Sequence, residues 1–194
     1  MGSTETSTGG QVSDLPPIRR FITTHDDATG KAKLYSQDEG QWQSLRNASV
    51  AFNVAYTTTG FPPSLNDDAD ITAYKETMAS GDLGLVNPNG TVCRYVDFGP
   101  GSHPVMHRTQ SLDYGILLEG SIEMMLDSGE VHTLRRGDVA VQRATMHAWR
   151  NPSDTEWARM IFMLQDCQPI KVGGTLLEED IRNATEVPAS RKDH

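Results

Sequence analysis

At 194 residues, with a net charge of -9 from 17 Lys and Arg against 26 Asp and Glu, the chain has the size of one domain with one core. The acidic balance argues against nucleic-acid and anionic-membrane partners, and no apolar run approaches the length of a bilayer span. Two cysteines, Cys93 and Cys167, are too few for a disulfide framework, and no basic-then-apolar secretory signal opens the chain; a reduced, cytoplasmic protein with a small-molecule partner is expected.

Residues 1–17, rich in Ser, Thr and Gly at their start, read as a disordered segment. Residues 18–89 read as strands and one helix packing on a barrel. Ile18 to Thr24 and Lys31 to Ser36 flank the turn Asp26-Asp27-Ala28-Thr29-Gly30 and read as a hairpin. Val50, Phe52, Val54 and Tyr56 alternate with smaller or polar residues, the period of a half-buried strand. After Phe61-Pro62-Pro63, a helix is predicted with Asp68 or Asp70 as its cap, Ile71, Tyr74 and Met78 on one face, and Gly81 at its stop.

From Gly90 the texture changes to short strands separated by turn residues about every ten positions, as in a sandwich or closed barrel. The predicted strands are Thr91 to Phe98, Asp113 to Leu118, Ser121 to Leu126, Glu130 to Leu134, Val139 to Gln142, His147 to Arg150 and Trp157 to Leu164. Residues 90–168 are the barrel core; residues 169–194 are a C-terminal extension with a short helix over Thr175 to Ile181 and a loose charged tail.

The chemistry gathers around Gly101-Ser-His103-Pro-Val-Met-His107-Arg-Thr109-Gln-Ser-Leu-Asp113-Tyr114-Gly-Ile-Leu-Leu-Glu-Gly120. Residues two apart on a strand share a face, so His107 projects with Thr109, Asp113 with Gly115 and Leu117, and His147 with Trp149. If a closed barrel sends these sets inward, His107, Asp113 and His147 meet inside it. Two imidazoles and a carboxylate are the donor set that leaves open positions on Fe(II), and they also suit Zn, Mn or Ni. Without metal, a carboxylate orienting an imidazole makes a general acid or base at neutral pH.

The intervals of this stretch resemble the first motif of the cupins: a glycine, five residues, His-x-His, three or four residues, a glutamate, six residues and a glycine. His147 and Asn151, after Gly137, resemble the end of the second cupin motif. The resemblance implies an all-β, cupin-type β-barrel (jelly roll) with an N-terminal strand extension and one or two short helices, and a homodimer. Thr109 stands where cupins place the second histidine, and Asp113 where they place glutamate. The metal-ligand role therefore carries over to His107 and His147, and to Asp113 as a shortened substitute. The combination His-Arg-Thr with Ser-Leu-Asp-Tyr-Gly, and Leu15-Pro-Pro-Ile-Arg-Arg-Phe-Ile-Thr-Thr-His25-Asp upstream, is similar to small cupins of fungal natural-product gene clusters.

What this implies is a tailoring enzyme for a hydrophobic, oxygenated metabolite such as a polyketide intermediate, with His107, Asp113 and His147 as catalytic residues. It acts either as a metal-assisted oxidoreductase or as a metal-free dehydratase, cyclase or isomerase; no nucleotide cofactor is expected. Two other readings stand beside it: a non-catalytic binder of a reactive intermediate, and a partner protein with a vestigial site. Arg94, Thr109, Tyr114, Gln142 and Trp149 are candidate substrate contacts, Arg94 as an anion clamp. His103 beside Pro104 reads as exposed, and His25 and His132 follow no ligand spacing.

Overall fold

The computed structural model describes residues 8–181 and 189–190. Fourteen strands and one α-helix follow in chain order: β1 Thr8–Gly9, β2 Arg20–His25, β3 Ala32–Asp38, β4 Trp42–Leu45, β5 Val50–Thr58, α1 Ala69–Ser80, β6 Thr91–Phe98, β7 Ser111–Glu119, β8 Ser121–Leu126, β9 Val131–Arg135, β10 Val139–Arg143, β11 His147–Arg150, β12 Ala158–Asp166, β13 Ile170–Val172 and β14 Thr175–Leu177. A seven-stranded sheet in the order β1-β4-β5-β6-β12-β7-β10 and a three-stranded sheet β11-β8-β9 form the body, with β2-β3 and β13-β14 as separate hairpins. This is an antiparallel β-barrel, as the resemblance implies.

One hydrophobic cluster fills it. Val92, Val96 and Phe98 of β6, Leu117 of β7 and Met160, Phe162 and Leu164 of β12 meet Ile122 of β8, Leu134 of β9 and Trp149 of β11. The same cluster takes in Leu45, Val50, Leu85 and Val86. The boundary drawn at residue 90 therefore falls inside one sheet and one core: β5 pairs with β6 along its length, with a register shift between Val54 and Tyr56. The strand β4, which no alternation announced, extends that sheet outward.

Two expectations are corrected. Within residues 1–17, those described are not disordered: Thr8–Gly9 pairs with β4, and Ser13 is buried. The ordering agent is a buried ion pair. Arg159 donates through Nε and Nη2 to Asp97 at 2.6 and 2.7 Å, Ser13 Oγ donates to Asp97 at 2.5 Å, and Arg159 Nη1 donates to the carbonyl of Pro16 at 2.6 Å. Polar groups carried by the segment thus complete a pair that burial alone would leave under-satisfied. In the C-terminal extension, Thr175–Leu177 is a strand pairing with Ile170–Val172 instead of a helix. Gly173 and Gly174, both at positive φ, make the tight turn between them. Residues 1–7, 182–188 and 191–194, which include most of the predicted loose tail, lie outside the described residues.

Helix α1 spans Ala69–Ser80 and ends at Gly81 with φ 72°, as the sequence suggested. Its start differs. Neither candidate caps with its side chain: Asp68 accepts from Thr24 Oγ1, and Asp70 accepts from the Tyr56 hydroxyl.

Candidate functional site

The loop after β6 and the start of β11 form an isolated antiparallel bridge in which the amide of each histidine donates to the other's carbonyl at 2.9 Å. That pairing sets the His107 and His147 side chains next to one another, with ring centroids 4.5 Å apart. The Nδ1 atom of each ring lies 2.9 Å from the carbonyl two residues earlier, Val105 for His107 and Thr145 for His147. A carbonyl only accepts, so Nδ1 carries the proton and each Nε2 keeps a free lone pair. Burial lowers the proton affinity of both rings. For His147 the charge of His107 adds to burial and brings its pKa to about 3; for His107 nearby Arg46 adds to burial. Both imidazoles are therefore neutral at neutral pH.

A cavity of about 80 Å³ opens in front of them. Its walls are mostly apolar, with Val50, Phe52, Val96, Phe98, Trp149 and Phe162 prominent, and Leu85 closes one side. His147 meets Trp149 edge-on at 5.5 Å, and Trp149 packs on Phe162 at 5.5 Å. Gly115 lies opposite Phe162 in the β7–β12 register, and a Cβ there would come within 2.8 Å of the Phe162 ring. Absence of a side chain at Gly115 is what lets that ring lie against the sheet.

Asp113 also lines the cavity, but it does not orient either imidazole. Its Oδ2 accepts from Thr109 Oγ1 at 3.3 Å, Thr109 Oγ1 in turn accepts from Ser111 Oγ at 2.8 Å, and Oδ1 is buried without a partner. Burial raises the Asp113 carboxyl to about 6, against hydrogen bonds from Ser111 and Thr109 that favour the charged form. The expected imidazole-orienting carboxylate is therefore replaced by two backbone carbonyls. The reason is local, since each histidine folds back on its own preceding turn.

The expected metal set meets the same difficulty. Among the described residues no three His, Cys, Asp or Glu side chains come together as a metal ion would require. Asp113 accepts through Oδ2 from the threonine that stands in the second-histidine position, and the three side chains do not form the cluster that a metal ion would need. The residues do not fit a three-ligand metal, and the expected His107, Asp113, His147 ligand set is not assembled.

Of the predicted substrate contacts, Arg94, Thr109 and Trp149 line the cavity. Tyr114 does not: it is 39% exposed on the outer face of β7, because its neighbours Asp113 and Gly115 point inward. Gln142 is buried opposite Asp113, yet its amide is taken up by Met124 Sδ at 3.0 Å and by the Thr145 hydroxyl. His103, His25 and His132 are exposed.

Arg94, expected as an anion clamp, is deeply buried. It is 4% exposed, and burial alone pulls its pKa down to about 10. Nη2 donates to the Gly84 carbonyl at 2.7 Å, the guanidinium lies 4.8 Å over the Phe52 ring, and Nε and Nη1 have no partner. Two further contributors were not visible beforehand. Arg46, at φ 52° in a left-handed turn, reaches the cavity mouth and donates to the His103 carbonyl at 3.3 Å. The orienting carbonyls of Val105 and Thr145 are the other, and they leave no signal in the sequence because every residue carries a carbonyl.

Residues 94–164 match the model described as the cupin domain. The chain is 41% identical to oryzines biosynthesis cluster protein J of Aspergillus oryzae, across 87% of this chain and 93% of that protein. It is 41% identical to phomopsin biosynthesis cluster protein D of Diaporthe leptostromiformis, across 86% and 89%. It is also similar to the cupin-domain-containing oxidoreductase fogC of Aspergillus ruber, 38% identical across 90% and 91%.

Proposed function

The chain belongs to the cupin family, and from that premise we propose that it tailors a small, oxygenated, largely apolar metabolite by metal-independent proton transfer at the His107–His147 pair. Relatives are fungal biosynthesis-cluster proteins and proteins named cupin-domain oxidoreductases, which supports a tailoring role. One observation carries the chemistry: both imidazoles line a cavity walled by apolar side chains, and the Val105 and Thr145 carbonyls hold Nδ1 of each ring, which leaves both Nε2 atoms unprotonated.

Such a base removes a proton from a carbon next to a carbonyl, or from a hydroxyl, once the substrate displaces water. The low proton affinity of the empty pair keeps it unprotonated before binding. A substrate with negative charge then raises that affinity, so the base strengthens when the site is filled. Asp113, raised to about 6, is partly protonated near neutrality and supplies a proton to a departing hydroxyl or a developing enolate. The outcome is dehydration or isomerisation of a hydroxy-carbonyl compound.

The oxidoreductase name of several relatives favours a second reading, a metal-assisted oxidoreductase, for which the described residues offer two nitrogen donors. The two readings part on one experiment. Purified, chelator-treated protein is incubated with the intermediate that accumulates in a strain lacking the gene. Conversion without added metal, lowered about a hundredfold or more by His107→Gln and by His147→Gln, is the expected result. Stoichiometric metal that is lost in His107→Ala, with activity restored only by Fe(II), overturns proton transfer. Binding without conversion under either condition leaves a non-catalytic binder.

A further inference from the structure

Two arginines are buried in this barrel on neighbouring strands, and they are treated differently. Arg159 of β12 is matched on two nitrogens by Asp97 and on the third by the Pro16 carbonyl. Arg94 of β6 has one carbonyl and an aromatic face, while two of its nitrogens are buried with no acceptor. No acidic side chain among the described residues forms an ion pair with it; burial is the sole cause of its shifted proton affinity. A desolvated guanidinium is costly unless a counter-charge arrives.

The surroundings point the same way. In a chain of net charge -9, this cavity is bordered by Arg94 in its depth and at its mouth by Arg46, which donates to the His103 carbonyl; its single carboxyl, Asp113, accepts from Thr109 through Oδ2 and keeps Oδ1 without a partner. Apart from the Thr109 hydroxyl, the rest of the lining is apolar or neutral imidazole. Arg94 also borders a second cavity beneath α1, lined by Met78, Gly81 and Leu83, but that space holds no group able to do chemistry.

We propose that Arg94 is the anchor for a carboxylate on the ligand, so that the protein selects small organic acids with an apolar body and presents the carbons beside the acid group to the histidine pair. The carboxylate accepts from the free guanidinium donors while the chain of the acid runs along Phe52, Val96 and Phe98. A cavity of about 80 Å³ takes the acid head and a few carbons, and any larger remainder lies at the mouth beside Arg46. The proposal rests on the reading that this cavity is the reactive site, and it deepens that reading by naming the substrate class.

The test uses binding without turnover, so that its failure is separable from failure of the proton-transfer reading. Hexanoate and hexanamide, alike in shape and different in charge, are titrated at pH 7.5 and low salt by calorimetry. Hexanoate is expected to bind at least about tenfold more tightly than the amide, a preference that Arg94→Gln removes. His107→Gln and His147→Gln keep the preference even though they lose conversion. Leu85→Trp, which fills the cavity, abolishes hexanoate binding, whereas Met78→Trp, in the second cavity, leaves it intact. The melting temperature of Arg94→Gln without ligand is at least that of the parent, because an unmatched buried charge is gone. Equal binding of acid and amide overturns the proposal, as does a preference that survives Arg94→Gln or is blocked by Met78→Trp instead of Leu85→Trp. Should Arg94→Gln not fold, the acid–amide preference in the parent and its response to the two tryptophan variants decide alone.

Discussion

The site is built from groups whose charge states burial has pushed toward neutrality, and stability should record this as a function of pH. His147, at about 3 when folded against 6.5 for an exposed imidazole, takes a proton more readily when unfolded. Its contribution is thus fully present above about pH 6.5 and is lost as pH falls toward 3. His107 is lowered in the same direction. Asp113, raised to about 6, works oppositely: it costs stability as pH rises from about 4 to 6, since the unfolded carboxyl ionises first. Two histidines outweigh one carboxyl, so urea unfolding should show the protein weakening between pH 6.5 and 4.5. In His147→Asn that loss should shrink by on the order of 1 kcal/mol. Asp113→Asn should make the parent's acid loss steeper, because the opposing carboxyl is removed. A stability that is flat in the parent over this range would contradict the neutral histidine pair.

At the scale of elements, the pocket depends on what β7 leaves out as much as on what it carries. Strict alternation turns Ser111, Asp113, Gly115 and Leu117 inward and Tyr114 outward, which is why Tyr114 cannot share the cavity with Asp113. Gly115→Ala would set a Cβ 2.8 Å from the Phe162 ring and 3.2 Å from Met160 Cε. Overpacking of this kind costs about 1–3 kcal/mol, and the displaced ring moves into the cavity. A lower urea midpoint together with weaker ligand binding is the expected pair of effects, whereas Tyr114→Phe should change neither. The strand order also explains Arg94: β6 lies between β5 and β12, in the middle of the large sheet, where an inward side chain has no route to solvent.

Across the whole molecule, the N-terminal segment is an integral part of the fold. Ser13 and Pro16 complete the Asp97–Arg159 pair, Arg159 lies over Trp42 of β4, and β1 extends the sheet. Deleting residues 1–17 removes two hydrogen-bond partners of a buried charge pair, each worth roughly 1–3 kcal/mol when left unmet. Thermal melting should show a clear drop in midpoint with the barrel still folded. Arg159→Met should cost more, about 3–5 kcal/mol, because it strands the Asp97 carboxylate in the core. An unchanged midpoint after the deletion would mean that the segment merely lies on the surface.

Read alone, the sequence set the strand boundaries to within a residue or two from β6 to β12, and its resemblance to the cupins decided between a sandwich and a barrel. Strand alternation and turn residues are local signals, and the glycine and histidine intervals record a fixed path through the barrel. It also placed Arg94, His107, Thr109, Asp113, His147 and Trp149 near one another. Only the tertiary structure decided what they do there. Carbonyls supplied by the turns before His107 and His147, and not Asp113, set the imidazoles, because backbone acceptors carry no sequence signature. Thr109 stands in place of a second motif histidine and donates to one Asp113 oxygen, and among the described residues no cluster of three metal donors forms. Whether a buried arginine is matched or open depends on contacts from distant parts of the chain. Arg159 finds Asp97, Ser13 and Pro16, and among the described residues Arg94 pairs with no carboxylate; that difference is invisible in the order of residues.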